Sequence, residues 1–424
     1  MNTSARKTIW TLGSFLAAMV LVAGVALVAP AAHAKTKALI RIGVIAPFSA
    51  IDGASIINGA EMAVDEINKA GGIEGRPVKL FKYDNHASAT DAVRAFQRAV
   101  KQDHVVAIAG TFISEVALAI EPWSARLHTP FIVTGAASTK ITGEVHNHYA
   151  RDKYVFHNWL NSDFQGRVVC DFAKDELVGK LGYKTAVVMS EDAAWTQPLD
   201  VSYLKCLPKA GLKVLDHIRF SPDTNDFTPL FNKVESEHAD VIIAGWAHVG
   251  VKPTVQWHQQ QVPALLAGIN AQAGASSFWK STNGDTEGVI TGTAGVSGAA
   301  VTPKSEPFTK AYTKRYHTTP AYNAYSTYDS IYMLKAAIER EHSTNADKLV
   351  TGLEKTDYLG TVGRVKFYGR NDLYTHGMEY GKDLVQTVVF QWQHGKQVPV
   401  WPHRVSLAKL EVPSFVKQHV AMNR

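Results

Sequence analysis

Apolar runs of membrane-spanning length are missing beyond Val28, cysteine is nearly missing, and no segment carries a block of one charge. The first absence excludes a polytopic membrane protein, which repeats spans of about 20 apolar residues. Two cysteines, Cys170 and Cys206, are too few for a thiolate zinc site or a disulfide-rich scaffold. Lys and Arg alternate with Asp and Glu, so the formal charge of +6 is spread over a solvated surface and a nucleic-acid partner is not expected.

Catalytic signatures are missing too. No Gly-Lys-Ser/Thr triplet exists for a phosphate loop and no HExxH for a zinc protease. Gly292, Gly295 and Gly298 do not make a dinucleotide fingerprint, and Gly295-Val296-Ser297-Gly298 misses the nucleophile elbow because Ala299 stands where its second glycine belongs. His146 and His148 could share a metal only on a strand, where residues two apart face one way; their polar surroundings read as a surface loop. Neither a cofactor, a metal nor an enzymatic activity is therefore expected.

What is present is a chain of 424 residues, 46% hydrophobic and 19% charged, enough to bury a core in two or three domains. Arg6 and Lys7 precede an apolar run from Ile9 to Val28, then Pro30 and the small-x-small site Ala32-His33-Ala34, which reads as an export signal cleaved after Ala34. A run of twenty exceeds the usual h-region of about 7 to 15, so a retained anchor is the alternative, disfavoured by Thr11, Gly13, Ser14 and Pro30. Cleavage would leave 390 residues with a charge of +4, since Arg6 and Lys7 go with the signal.

From residue 38 the pattern is strand, helix, strand, helix. Leu39 to Ala46 is a continuous apolar run, as in a strand buried on both faces of a parallel sheet. A helix from about Ala54 to Lys69 follows, stopped by Gly71-Gly72. The alternation continues to a fourth strand at Phe131–Thr134 and restarts near residue 160, predicting two doubly wound α/β lobes. Cys170 and Cys206 fall in helices flanking one strand of the second lobe, where a bridge and two buried thiols are both open. Residues 398–424, with Pro399, Pro402 and Pro413, predict an extended tail.

In open α/β sheets ligands bind beyond the carboxyl ends of the strands. Two such loops are rich in donors. Gly110-Thr111-Phe112-Ile113-Ser114 places Ser114 as a helix N-cap, and Gly135-Ala136-Ala137-Ser138-Thr139 offers backbone N–H groups behind small side chains. Charge-assisted hydrogen bonds contribute roughly 1.5 to 3 kcal/mol each, so together the loops predict a carboxylate site.

Ala63-Val64-Asp65-Glu66-Ile67-Asn68-Lys69-Ala70-Gly71-Gly72-Ile73-Glu74-Gly75 closely resembles the helix-and-turn signature of type I periplasmic solute-binding proteins, the leucine/isoleucine/valine-binding family. Asp226-Phe227-Thr228-Pro229-Leu230, followed by Ala239-Asp240-Val241-Ile242, resembles its second-lobe signature. The resemblance implies two Rossmann-like lobes joined by a three-crossover hinge. We place lobe 1 at 38–158 plus 294–372 and lobe 2 at 159–293 plus 384–397. It also implies a periplasmic, monomeric protein that hands a small-molecule ligand to an ABC permease and, through it, to an ATPase; a ligand-sensing receptor of the same fold is the alternative.

By the same resemblance, Ser114 falls on the family's carboxylate-binding serine and Ala136, Ala137 and Ser138 on its second carboxylate loop. Trp195 and Trp246 stand for second-lobe aromatics that close over the ligand, and Asp52 sits in the first ligand-contacting loop. Asn270 replaces the acid that pairs with an α-ammonium group. A neutral amide cannot compensate a desolvated cation, so an aromatic carboxylate, an amide or a larger amino-acid derivative is favoured over a branched-chain amino acid, unless Asp52 supplies the missing charge instead.

Overall fold

The structure, a computed structural model, describes residues 38–416. The expected signal segment, its cleavage point at Ala34 and the end of the tail lie outside those residues.

The first lobe is built on β1 (Ile40–Ala46), β2 (Val78–Asp84), β3 (Ala107–Gly110), β4 (Phe131–Val133) and β5 (Val155–His157). They pair in parallel in the order β2-β1-β3-β4-β5. Parallel strands covered on both faces need apolar side chains on each, and all of β1 except Arg41 is buried. Its helices are α1 (Ile51–Lys69), α2 (Ala89–Lys101), α3 (Ser114–Arg126), α4 (Thr139–Asn147) and the short α5 (Tyr149–Asp152). The stop after α1 is real: Gly72 has φ +80°, and a Cβ there would lie 2.1 Å from the Arg76 carbonyl oxygen.

After β5 the chain crosses over to the second lobe through α6 (Ser162–Phe172), which winds into a π-helical turn at Ala173–Val178. There β6 (Thr185–Glu191), α7 (Thr196–Ala210), β7 (Lys213–Phe220), α8 (Thr228–Ser236), β8 (Val241–Trp246), α9 (Lys252–Gln259) and β9 (Leu265–Asn270) repeat the first lobe's logic. The sheet is again parallel, ordered β7-β6-β8-β9. A disulfide joins Cys170 of α6 to Cys206 of α7, Cα atoms 5.9 Å apart.

Beyond α10 (Ser277–Ser281) comes β10 (Ile290–Thr293), which lies beside β9, the Asn270 N–H donating to Thr291 Oγ1 at 2.8 Å. The chain then returns to the first lobe as α11 (Ser305–Tyr316), α12 (Tyr322–Glu341) and α13 (Ala346–Glu354). Tyr332 of α12 donates to Glu66 of α1 at 2.8 Å. After a small ribbon of β11 (Tyr358–Leu359) and β12 (Arg364–Val365), a third crossing leads to β13 (Val388–Gln393) and β14 (Lys396–Trp401). One continuous core runs from the α1 side of the first sheet through the second lobe, and a separate one underlies α2, α3 and α4.

Two expectations are corrected. The extended tail does not begin at Val398: β14 pairs antiparallel with β13 on the edge of a three-stranded sheet. Past it, Gln391 Nε2 donates to the Glu411 carbonyl and Phe415 packs 5.2 Å from Trp257. An edge strand tolerates Pro399 because one side of it needs no donor. Likewise α1 begins at Ile51, ahead of the expected Ala54, so Asp52 lies in its first turn instead of in the preceding loop. An acid there is favoured by the helix dipole.

Candidate functional site

Strand order reverses beside β1 in one lobe and beside β6 in the other, and loops leaving neighbouring strands in opposite directions open a crevice at each such point. The crevices face each other. Between them lies a cavity lined by residues of both lobes. Phe112, Gly135 and Ala137 line it from the first lobe, Trp195, Ala247 and His248 from the second. Trp159 and Tyr322 flank it, their ring centres 4.5 Å apart, and Thr293 and Thr387 close it where β10 and β13 meet.

The lobes touch around this cavity. Glu115 Oε1 of α3 accepts the Ala194 N–H at 2.7 Å, and the rings of Phe112 and His248 stack at 6.5 Å. The described conformation is therefore a closed one. Gly135 has no room for a side chain, since a Cβ would come within 2.7 Å of Phe112 Cβ.

The two donor loops do converge, in a way the sequence did not indicate. Ser114 is the first residue of α3; Ile113 holds the N-cap position. Its Oγ accepts the N–H groups of Ala137 at 3.3 Å and Ser138 at 3.1 Å, so these donors are engaged inside the protein. Ser138 caps α4 by accepting the Lys140 N–H, and the Ala136 carbonyl meets His157. Of the four, only Ala137 lines the cavity.

Trp195 lines it as well, its Nε1 donating to Glu191 Oε1 at 3.0 Å. Trp246 does not. It is the last residue of β8, fully buried in the core with Nε1 bonded to the Met189 carbonyl, and the residues after it, Ala247 and His248, reach the cavity instead. Asn270 is also spent locally, capping the short helix Ala271–Gly274 and donating to Thr254 Oγ1. Asp52 is buried with Oδ1 unbonded, and loss of solvent pushes its carboxyl up to about 7 despite the nearby His248.

Glu191 and His248 were not singled out from the sequence. Glu191, the last residue of β6, is wholly buried and receives five donors: Trp195 Nε1 and His248 Nδ1 on Oε1, and the N–H groups of Ala247, His248 and Val249 on Oε2. Burial alone would raise its pKa, but the His248 ring and these backbone donors hold it below the ordinary glutamate value. Burial would conversely depress His248; Glu191 at 2.6 Å, helped by Glu115 and Asp52, raises it instead. Three polar atoms on the cavity wall have no partner: His248 Nε2, Thr293 Oγ1 and Thr387 Oγ1.

His146 lies in α4 and His148 is its C-cap, so the strand geometry that a shared metal would need is not met. Glu287, His394 and Glu411 bring ligand atoms within 4.8 Å of one another, but Glu287 already accepts two backbone N–H groups.

The model of the periplasmic binding protein family matches residues 39–382. The chain belongs to this family. Within it, the Leu/Ile/Val-binding protein homolog 7 of Brucella suis is 25% identical over 405 residues, covering 90% of this chain and 96% of the relative. The branched-chain amino acid transporter substrate-binding protein LivJ of Streptococcus pneumoniae, solved with isoleucine, superposes with a TM-score of 0.75 at 21% identity, covering 86% of this chain and 100% of that one. A solute-binding protein of an ABC transporter from Rhodopseudomonas palustris, solved with benzoate, superposes at 0.72 and 17% identity over 89% and 99%. These type I periplasmic binding proteins share the mixed α/β fold with parallel sheets described above, are solute-binding proteins and not enzymes, and imply an extracytoplasmic location. No helix among the described residues is long and apolar enough to cross a membrane.

Proposed function

We propose that this chain is the non-enzymatic solute-binding component of an ABC importer, exported and cleaved after Ala34. It captures a small carboxylate or amide-type solute by hinge closure: an amino acid, an amino-acid derivative or an aromatic acid. The observation that carries this reading is the interlobe cavity, walled by four aromatic side chains yet holding three unbonded polar atoms. Such a mix of apolar wall and few polar anchors is what a pocket for a small organic molecule needs. Ala137 and Trp195 meet the solute directly; Ser114, Ala136 and Ser138 hold the first-lobe loop in shape, Asn270 and Trp246 the second-lobe wall, and Asp52 stands behind the cavity. The closed monomer is then read by the permease, and through it by the ATPase, with no bond chemistry and no cofactor.

A thermal-shift screen of the mature protein against amino acids, amides and aromatic acids tests this. A ligand that binds only the folded state raises the melting point by mass action, by about 2.7 kcal/mol of stability at a hundred times Kd. At least one of these solutes is expected to shift it at sub-millimolar concentration. A flat response across the whole panel would remove the solute-binding reading.

A further inference from the structure

His248 and Glu191 stand 57 positions apart in the chain, yet they form the most heavily bonded polar unit at the cavity. Resting on the solute-binding reading, we infer that this pair selects the charge of the ligand: His248 Nε2–H donates to a carboxylate on a flat body that lacks an α-ammonium group, with Glu191 as the positioning residue.

The tautomer follows from the geometry. Glu191 Oε1 lies 2.6 Å from Nδ1, so that nitrogen carries a proton. A cationic ring then also has a proton on Nε2, which is buried and unbonded and demands an acceptor. Charged groups face His248 from each neighbouring element: Glu191 at the end of β6, Glu115 from α3 and Asp52 from α1. Tyr322 of α12 lines the same cavity, while Asp223 and Lys252 line the surface groove on its other side. The acidic neighbours favour the cation, consistent with the raised pKa.

Among the described residues, no aspartate or glutamate lines the cavity to meet a ligand ammonium. Both oxygens of Glu191 are filled by donors, and Asp52, which burial raises to about 7, is about half protonated at neutral pH and mostly so below it. The stacked Phe112 and the rings of Trp159, Trp195 and Tyr322 suit a planar body, and the hydroxyls of Thr293 and Thr387 offer it a second polar anchor.

Calorimetric titration with benzoate, 4-hydroxybenzoate and phenylacetate, their primary amides, and leucine tests the pair from pH 6 to 9. At least one acid is expected to bind, at least tenfold tighter than its amide and tighter than leucine. Its affinity should fall as pH rises through the His248 titration, because Nε2 then loses its proton. In Glu191→Gln, which keeps an acceptor for the backbone donors, that fall should move to lower pH. In His248→Gln the acid should weaken about tenfold or more, its margin over the amide should shrink to about threefold or less, and the fall with pH should be smaller, with Asp52 alone still titrating in that range. Amide or leucine binding as tightly as the acid, or one pH profile shared by all three proteins, would overturn the assignment while leaving the solute-binding reading intact. A protein that binds none of these, nor anything in the broader screen, would remove both.

Discussion

Asp52 combines two tendencies that oppose each other. Its place in the first turn of α1 favours a negative charge, whereas burial with an unbonded Oδ1 disfavours one. Burial wins, and the folded-state value of about 7 stands above the ordinary 3.8. A raised carboxyl pKa means the folded state holds a proton that the unfolded chain has released. The associated stability is complete below pH 3.8, declines as pH rises and is gone above about 7. Asparagine keeps the shape without the charge. Asp52→Asn should therefore exceed the wild type by something on the order of 2 to 4 kcal/mol at pH 8 and match it near pH 4, as read from urea unfolding at the two pH values. Equal stability at pH 8 would mean that the Asp52 carboxylate finds solvent or a partner.

At the scale of elements, the helices α6 and α7 are pinned by the only covalent cross-link among the described residues. Closing a loop across a sequence separation of 36 removes unfolded-state entropy equivalent to about 4 kcal/mol in the chain-entropy view. Cys170→Ser with Cys206→Ser should cost about 2 to 4 kcal/mol in chemical unfolding of the oxidised protein. Dithiothreitol should lower the wild type toward the double variant and leave the variant unmoved. The bridge could not be told from two buried thiols in the sequence, because helical spacing says nothing of how two helices are set side by side. Most strands were legible, since runs such as Val241 to Ala244 are apolar on both faces, which only a covered parallel sheet demands. β14 was not. Pro399 and Pro402 read as breakers, and only the three-dimensional edge position makes a proline acceptable there.

For the whole molecule, the loops that meet at the cavity were legible while the division of labour within them was not. Ser114 and the loop through Ser138 do lie together, but they bond each other, and Trp246 turns into the core one residue before the wall begins. Glu191 and His248 had a signal in retrospect: one ends β6 and the other follows β8, adjacent strands where the order reverses. What periodicity cannot convey is which side chain turns toward the opposite lobe, for that depends on closure. Closure has a cost and a reward that can be separated. The Glu115–Ala194 bond, in contact with solvent, joins the lobes only when they are shut, so it contributes to ligand affinity through the open-to-closed equilibrium and little to the fold of either lobe. Glu115→Ala should weaken the bound solute about three- to tenfold, equivalent to roughly 0.7 to 1.4 kcal/mol, with an unchanged melting point in its absence. Small-angle scattering of the wild type should show a smaller radius of gyration once the solute is added, and a larger solute concentration should be needed to reach the same value in the variant. An identical scattering curve with and without solute would mean that the lobes rest shut and the ligand enters without hinge motion.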